Sequence, residues 1–267
     1  MEMRQPAVAG QFYPLHCDNL EKELTRCFEG LEIRERDVLG AVCPHAGYIY
    51  SGKVAAHAYA TLPEADTYIF FGPNHTGYGS PISVSRDTWK TPMGTIDVDL
   101  ELADGFLGSI VDADELGHTY EHSIEVQLPF LQYRFGRDFK ILPICMGMQD
   151  EKTAVEVGNL VADLVSESGK RAVIIASSDF THYETAERAR ETDDEVIGAI
   201  LNLDVSGMYE RLYRRNASVC GFGPIAAMLS ASLKLGGSRA TLLKYANSGD
   251  VSGDMSAVVG YAAIIVE

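Results

Sequence analysis

Basic residues are scarce in this chain: 22 lysines and arginines face 38 aspartates and glutamates, a formal charge of −16. A body so acidic repels phosphate backbones and anionic lipid surfaces, so neither nucleic acid nor a membrane is an expected partner. Long apolar runs are missing as well. None approaches the roughly 20 residues a membrane helix needs, and Met1 to Gly10 lacks the basic and apolar regions of a signal peptide, so the expectation is a cytoplasmic protein. Cysteine is sparse and scattered: Cys17, Cys27, Cys43, Cys145 and Cys220 form an odd set with no close pair. That excludes a disulfide framework or a zinc knuckle and leaves reduced, mostly buried thiols. Internal repeats, low-complexity tracts and Pro/Ser-rich linkers are lacking, so residues 1–267 read as one domain. With 46% apolar residues, the chain has enough material for a core without a structural metal.

What is present is an alternation of short apolar runs with longer amphipathic stretches, the signature of helices crossing between strands of a parallel sheet. The expected class is α/β, a mainly parallel or mixed central sheet flanked by helices. Asp18 with Glu21 resembles a capping box for a helix carrying Leu20, Leu24 and Phe28. Strands are predicted at 38–43, 67–71, 82–85, 95–98, 139–146, 172–177, 240–246 and 258–266, with Pro143 marking an edge or bulge. Helices are predicted from about Ser51, around 102–107, and at 123–135, 152–165, 184–201, 205–214 and 224–235, with Pro129 starting a new segment within the third or kinking it.

Four of these strands run straight into turns rich in polar groups. Pro44-His45-Ala46-Gly47-Tyr48 follows the first, Gly72-Pro73-Asn74-His75-Thr76-Gly77 the second. Ser178-Asp179-Phe180-Thr181-His182-Tyr183 follows the strand at 172–177, and Asn247-Ser248-Gly249-Asp250 the strand at 240–246. Ligands of open α/β sheets bind beyond the carboxyl ends of the strands, where such loops converge. His45, His75 and His182 are therefore expected to meet in space, and imidazoles held by rigid turns suit a first-row transition metal at about 2.0–2.1 Å. His118 and His122 are four residues apart, but the expected helix starts only at Ser123. His122 is read as supporting the centre or touching substrate, His118 as a surface residue. Ser177, Ser178, Asp179 and His182 also suggest a serine hydrolase, yet no GxSxG elbow is present. Cys220-Gly221-Phe222-Gly223-Pro224 matches neither a phosphate loop nor a dinucleotide fingerprint.

Several segments together resemble the Memo family. They are Arg4-Gln5-Pro6-Ala7-Val8-Ala9-Gly10-Gln11-Phe12-Tyr13-Pro14, Pro44-His45-Ala46-Gly47-Tyr48 with Tyr50-Ser51-Gly52, Gly72-Pro73-Asn74-His75, Thr91-Pro92-Met93-Gly94, Glu121-His122-Ser123-Ile124-Glu125 and Ser178-Asp179-Phe180-Thr181-His182-Tyr183. That family is similar in fold to the LigB-type extradiol dioxygenases, non-haem iron enzymes that open catechol rings with oxygen, and its animal members mediate receptor-driven cell motility. The resemblance implies a LigB-like fold and a metal centre in which His45 and His75 are ligands, with Asp179 and His182 lining the same pocket. Counting back from Tyr261-Ala262-Ala263, the family's metal-binding cysteine is read at Val251, with Asp250, or less well placed Asp254, as its replacement. Two histidines and a carboxylate would form a facial site for a divalent transition metal, iron(II) first, with zinc, manganese or copper as the others. The implied activity is a metal-dependent redox enzyme or dioxygenase on a small phenolic or other oxygen-bearing substrate. His182 is cast as acid or base, oriented by Asp179, with His122, Tyr48 and Asn74 contacting substrate. The alternative is a non-catalytic protein that takes a phosphotyrosine-type or acidic peptide in the same pocket.

Overall fold

The computed structural model of the protein describes residues 3–267. In chain order the elements are β1 (Met3–Arg4), α1 (Cys17–Cys27), β2 (Gly40–Cys43), α2 (Tyr48–Tyr59), β3 (Thr67–Pro73), β4 (Ile82–Val84), β5 (Thr88–Thr91), β6 (Gly94–Ile96), α3 (Leu100–Asp104), β7 (Asp112–Ala113), α4 (Leu116–Thr119), α5 (Leu128–Phe135), β8 (Lys140–Met146), α6 (Glu151–Ser168), β9 (Ala172–Ser177), β10 (His182–Glu184), α7 (Ala186–Leu201), α8 (Val205–Arg215), α9 (Phe222–Lys234), β11 (Ala240–Asn247), α10 (Gly249–Ser252) and β12 (Val258–Val266). The architecture is mixed α/β, a large central sheet flanked by helices. Its strand order is β10-β12-β2-β9-β3-β8-β4-β7, with β11 also paired to β12, and β1, β5 and β6 form a separate three-stranded sheet.

The centre of the large sheet is parallel. β2 pairs with β9 so that Cys43 lies opposite Ser177, and β3 pairs with β9 so that Phe71 lies opposite Ala176. These strands are buried almost throughout and mostly apolar because both faces are covered, with polar side chains only at their ends, Thr67 and Ser177. Helix α9 lies across β2, β3 and β9 and carries α6, while α2 covers β2, β11 and β12 with α1 and α5 beyond it. The buried apolar side chains form one continuous cluster running from Tyr13 to Val266. No helix among the described residues is long and apolar enough to cross a membrane.

Several expectations need correction. α1 starts at Cys17 with no side-chain cap, so Asp18 favours the helix only through its charge in the first turn. The expected helix at 123–135 is a 3-10 turn at Glu125–Gln127 followed by α5, with Pro129 in its first turn, where its missing N–H costs nothing. Pro143 is not on an edge strand, since β8 lies between β3 and β4. It faces the point where β4 has ended: the last β4 pair is Val84 with Ile144, and the Pro143 carbonyl accepts from the Ser85 N–H.

Helices α6 and α9 meet through Gly158. A methyl there would lie 2.3 Å from the Ala227 carbonyl oxygen, a backbone atom that cannot swing aside. Gly158→Ala is therefore expected to destabilise the protein by about 1–3 kcal/mol despite the better helix propensity of alanine. Thermal unfolding checks this, and an unchanged or higher Tm would contradict the tight crossing.

Candidate metal centre

Because β2, β3 and β9 are parallel and in register, the loops leaving their carboxyl ends emerge side by side. His45 sits two residues beyond β2. Its backbone N–H donates to Asp179 Oδ1 at 2.8 Å, which ties the first loop to the third. Its ring Nδ1 lies 2.9 Å from Ser177 Oγ. The Ser177 hydroxyl has one proton and donates it to the Ser123 carbonyl at 2.6 Å, so toward His45 it can only accept. Gln127 Nε2 donates to the same oxygen at 2.8 Å, and Gln127 Oε1 accepts from the buried Tyr59 hydroxyl at 2.7 Å. His45 therefore carries its proton on Nδ1 and presents the Nε2 lone pair.

His75 follows β3 on a turn shaped by Asn74, whose Oδ1 accepts from the N–H groups of Thr76 at 3.0 Å and Gly77 at 2.9 Å. Glu121 comes from the irregular stretch between α4 and the 3-10 turn. Its carboxylate accepts from the His75 N–H at 2.6 Å and from His75 Nδ1 at 2.9 Å. The adjoining His122 ring packs on Phe12, with centroids 4.7 Å apart.

Three imidazoles converge here. Ring centroids are 5.1 Å apart for His45 and His75, 5.3 Å for His45 and His122, and 4.7 Å for His75 and His122. One donor atom from each lies within 4.8 Å of the others, which makes His45, His75 and His122 a group able to hold a metal ion. Burial, and then the neighbouring His122 and His75, hold the His45 ring well below the usual imidazole pKa; burial likewise lowers His122. Neutral rings keep a lone pair for an ion, as the donor set requires. Burial alone would push the Glu121 carboxyl up, but the His75 hydrogen bond and the two nearby rings outweigh it and hold Glu121 well below the usual carboxylate range. Cys220, two residues before α9, places Sγ 3.1 Å from His45 Nε2. Burial pushes this thiol up, so without an ion its S–H faces the His45 lone pair.

The remaining expected residues are distributed differently. Asp179 is buried beside His45, and burial raises its carboxyl to about 6. The His182 ring is held by the Ser218 carbonyl, 2.8 Å from Nδ1, so Ser218 rather than Asp179 orients it. His182 pairs with Val259 at the start of β10, and the strand is bulged just beyond it at Tyr183, whose φ is 61°. Asp250 is turned back on its own loop, accepting from the Asn247 N–H at 2.9 Å, and does not join the three histidines. Val251 is exposed on α10, and Asp254 accepts from Ser256 N–H at 2.9 Å, so the thiol beside the histidines comes from position 220, not from position 251. The Tyr48 hydroxyl donates to the Val126 carbonyl at 2.6 Å within the core, tying α2 to the 3-10 turn, and Asn74 Nδ2 donates to the Tyr78 carbonyl at 2.7 Å within its own loop. His118 is not on the surface: it is buried against Trp89.

With this geometry in hand, comparison with known proteins defines the class. The chain matches the family described as Memo-like protein over residues 4–265, and it belongs to that family. It is 91% identical over the whole of both chains to a MEMO1 family protein of Methanosarcina acetivorans. It is 49% identical, covering 98% of this chain and 99% of the other, to a MEMO1 family protein of Archaeoglobus fulgidus. The crystal structure of the uncharacterized protein JW3007 from Escherichia coli K12 shares the fold, with a TM-score of 0.52 at 11% identity over 85% of this chain and 98% of that one.

His45→Ala, His75→Ala and His122→Ala should each weaken binding of one divalent ion at least about 10-fold, read by competition with a chelating dye. A variant that keeps full affinity removes its residue from the donor set. His118 gives a separate, pH-dependent outcome. Burial and then Arg4 lower its pKa from 6.5 to about 3 in the folded protein. Below pH 6.5 the unfolded chain takes up a proton that the folded one refuses until about 3, so stability falls with pH across that window, by up to about 1.4 kcal/mol per pH unit from this group. His118→Gln should flatten the slope of urea-unfolding stability there, and an unchanged slope would contradict the assignment.

Proposed function

We propose that this protein is a metal-dependent redox enzyme of the dioxygenase type, acting on a small phenolic or other oxygen-bearing molecule at the three-histidine centre. The observation that carries this reading is the convergence of three imidazoles from distant loops, with donor atoms within 4.8 Å of one another. A bound divalent ion, iron(II) first and zinc, manganese or copper after it, would supply Lewis acidity and, for iron or copper, one-electron chemistry. His45, His75 and His122 would hold it, with Cys220 close enough to His45 to add a soft donor. The His75 side of the centre is open to solvent, which leaves a way in for substrate. The resemblance to ring-opening dioxygenases of the LigB type adds to this reading.

The acid-base work is assigned to His182. A carbonyl can only accept, so the contact with Ser218 puts the proton on Nδ1 and leaves the Nε2 lone pair of the neutral ring to take a phenolic proton. Asp179 acts on His45 instead, anchoring the loop that carries it. His182→Asn should lower turnover by about 10² to 10⁴ while leaving metal content unchanged, and equal loss of both would contradict the role. The wider test is oxygen uptake by metal-loaded protein with a panel of catechols, before and after chelation. Metal-dependent uptake supports the enzyme. A loaded protein inert toward every catechol, yet able without metal to bind an acidic or phosphotyrosine peptide, would replace it with the binding-protein reading.

A further inference from the structure

Every polar contact made by the Glu121 carboxylate comes from a donor. Oε2 accepts from the His75 N–H at 2.6 Å; Oε1 accepts from His75 Nδ1 at 2.9 Å and from the N–H groups of His122 and Ser123, both at 2.8 Å. The same Oε1 lies 3.3 Å from His122 Nδ1. A carboxylate ringed by donors is acceptor-only, so His75 must carry its proton on Nδ1 and direct the Nε2 lone pair outward. The backbone of Glu121 is fixed from behind. Arg4, buried over Trp89, donates from Nη2 to the Glu121 carbonyl at 2.6 Å and from Nη1 to Glu125 at 2.8 Å. Asp179 serves the other side of the centre, where its Oδ1 accepts from the His45 N–H.

We propose that Glu121 is the positioning residue of the metal centre: one carboxylate selects the tautomer of His75 and fixes the seat of His122, so that two of the three donors are aimed before any ion arrives. This rests on the metal reading above. Without the carboxylate, nothing would commit His75 to one tautomer, and the other tautomer turns an N–H toward the ion.

The test uses full-length protein and the isosteric Glu121→Gln, whose amide NH₂ must confront at least one of the N–H groups that the carboxylate accepts. Long-range ¹H–¹⁵N NMR on the metal-free protein reads the His75 tautomer, and titration with Zn²⁺ against a chelator reads affinity. Expected are Nδ1–H alone for His75 in the wild type, a changed tautomer balance in the variant, and Zn²⁺ affinity lowered about 10- to 100-fold. A folded variant with wild-type tautomer and affinity would overturn the proposal. Should the variant fail to fold, the wild-type spectrum still decides: His75 protonated on Nε2 overturns it. Absence of Zn²⁺ binding by the wild type would instead defeat the metal reading, while the tautomer measurement stands independently.

Discussion

The parallel register of β2, β9 and β3 is the constraint on which the centre depends. Cys43 opposite Ser177 and Phe71 opposite Ala176 bring three strands to an end at one level, so His45, His75 and Asp179 leave the sheet as neighbours despite long separations in sequence. A shift by one residue would turn the strand side chains to the opposite face and carry the loops out of reach. That register is held by an apolar core packed on both faces of the sheet, with α9 lying across all three strands. Packing far from the histidines thereby sets where their rings can stand.

A second layer of control is polar and buried. Ser177, the last residue of β9, uses its single hydroxyl proton on the Ser123 carbonyl, and that choice dictates which nitrogen of His45 is protonated. The same contact ties β9 to the stretch that bears His122. Each of the three loops is thus cross-linked to another: His45 to Asp179 through its N–H, His75 to Glu121, and Ser177 to Ser123. Buried networks with every partner satisfied are rigid, because each broken bond leaves an uncompensated polar group. Rigidity of this kind suits a site that must hold rings in place before a ligand enters.

The amino acids announced much of this. Strands 172–177 and 258–266 match the expected limits because their apolar runs are bounded by polar turns, and His45 and His75 stood out because each follows such a run. What stayed hidden lay where periodicity is silent. His122 was expected beside the centre but not among its donors, and Glu121 was given no part, because both sit in irregular backbone between α4 and the 3-10 turn where no helical or strand pattern places them. Cys220 looked like one more scattered thiol; its nearness to His45 depends on Gly221, where a Cβ would come within 2.4 Å of the Ser177 carbonyl. Asp250 and Val251 were placed by counting along the chain, but α10 directs both outward, a feature of loop geometry that composition does not encode. The hydroxyl of Tyr48 turned inward because the helix it opens packs on Phe130.

Joint grip on one ion by distant imidazoles is the central claim, and X-ray absorption of protein loaded with a single equivalent of Zn²⁺ tests it most directly. The expected spectrum has three nitrogen scatterers at about 2.0–2.1 Å with the outer-shell pattern of imidazole rings, and room for a sulfur at about 2.3 Å. A first shell of oxygen alone, with no imidazole signature, would contradict it.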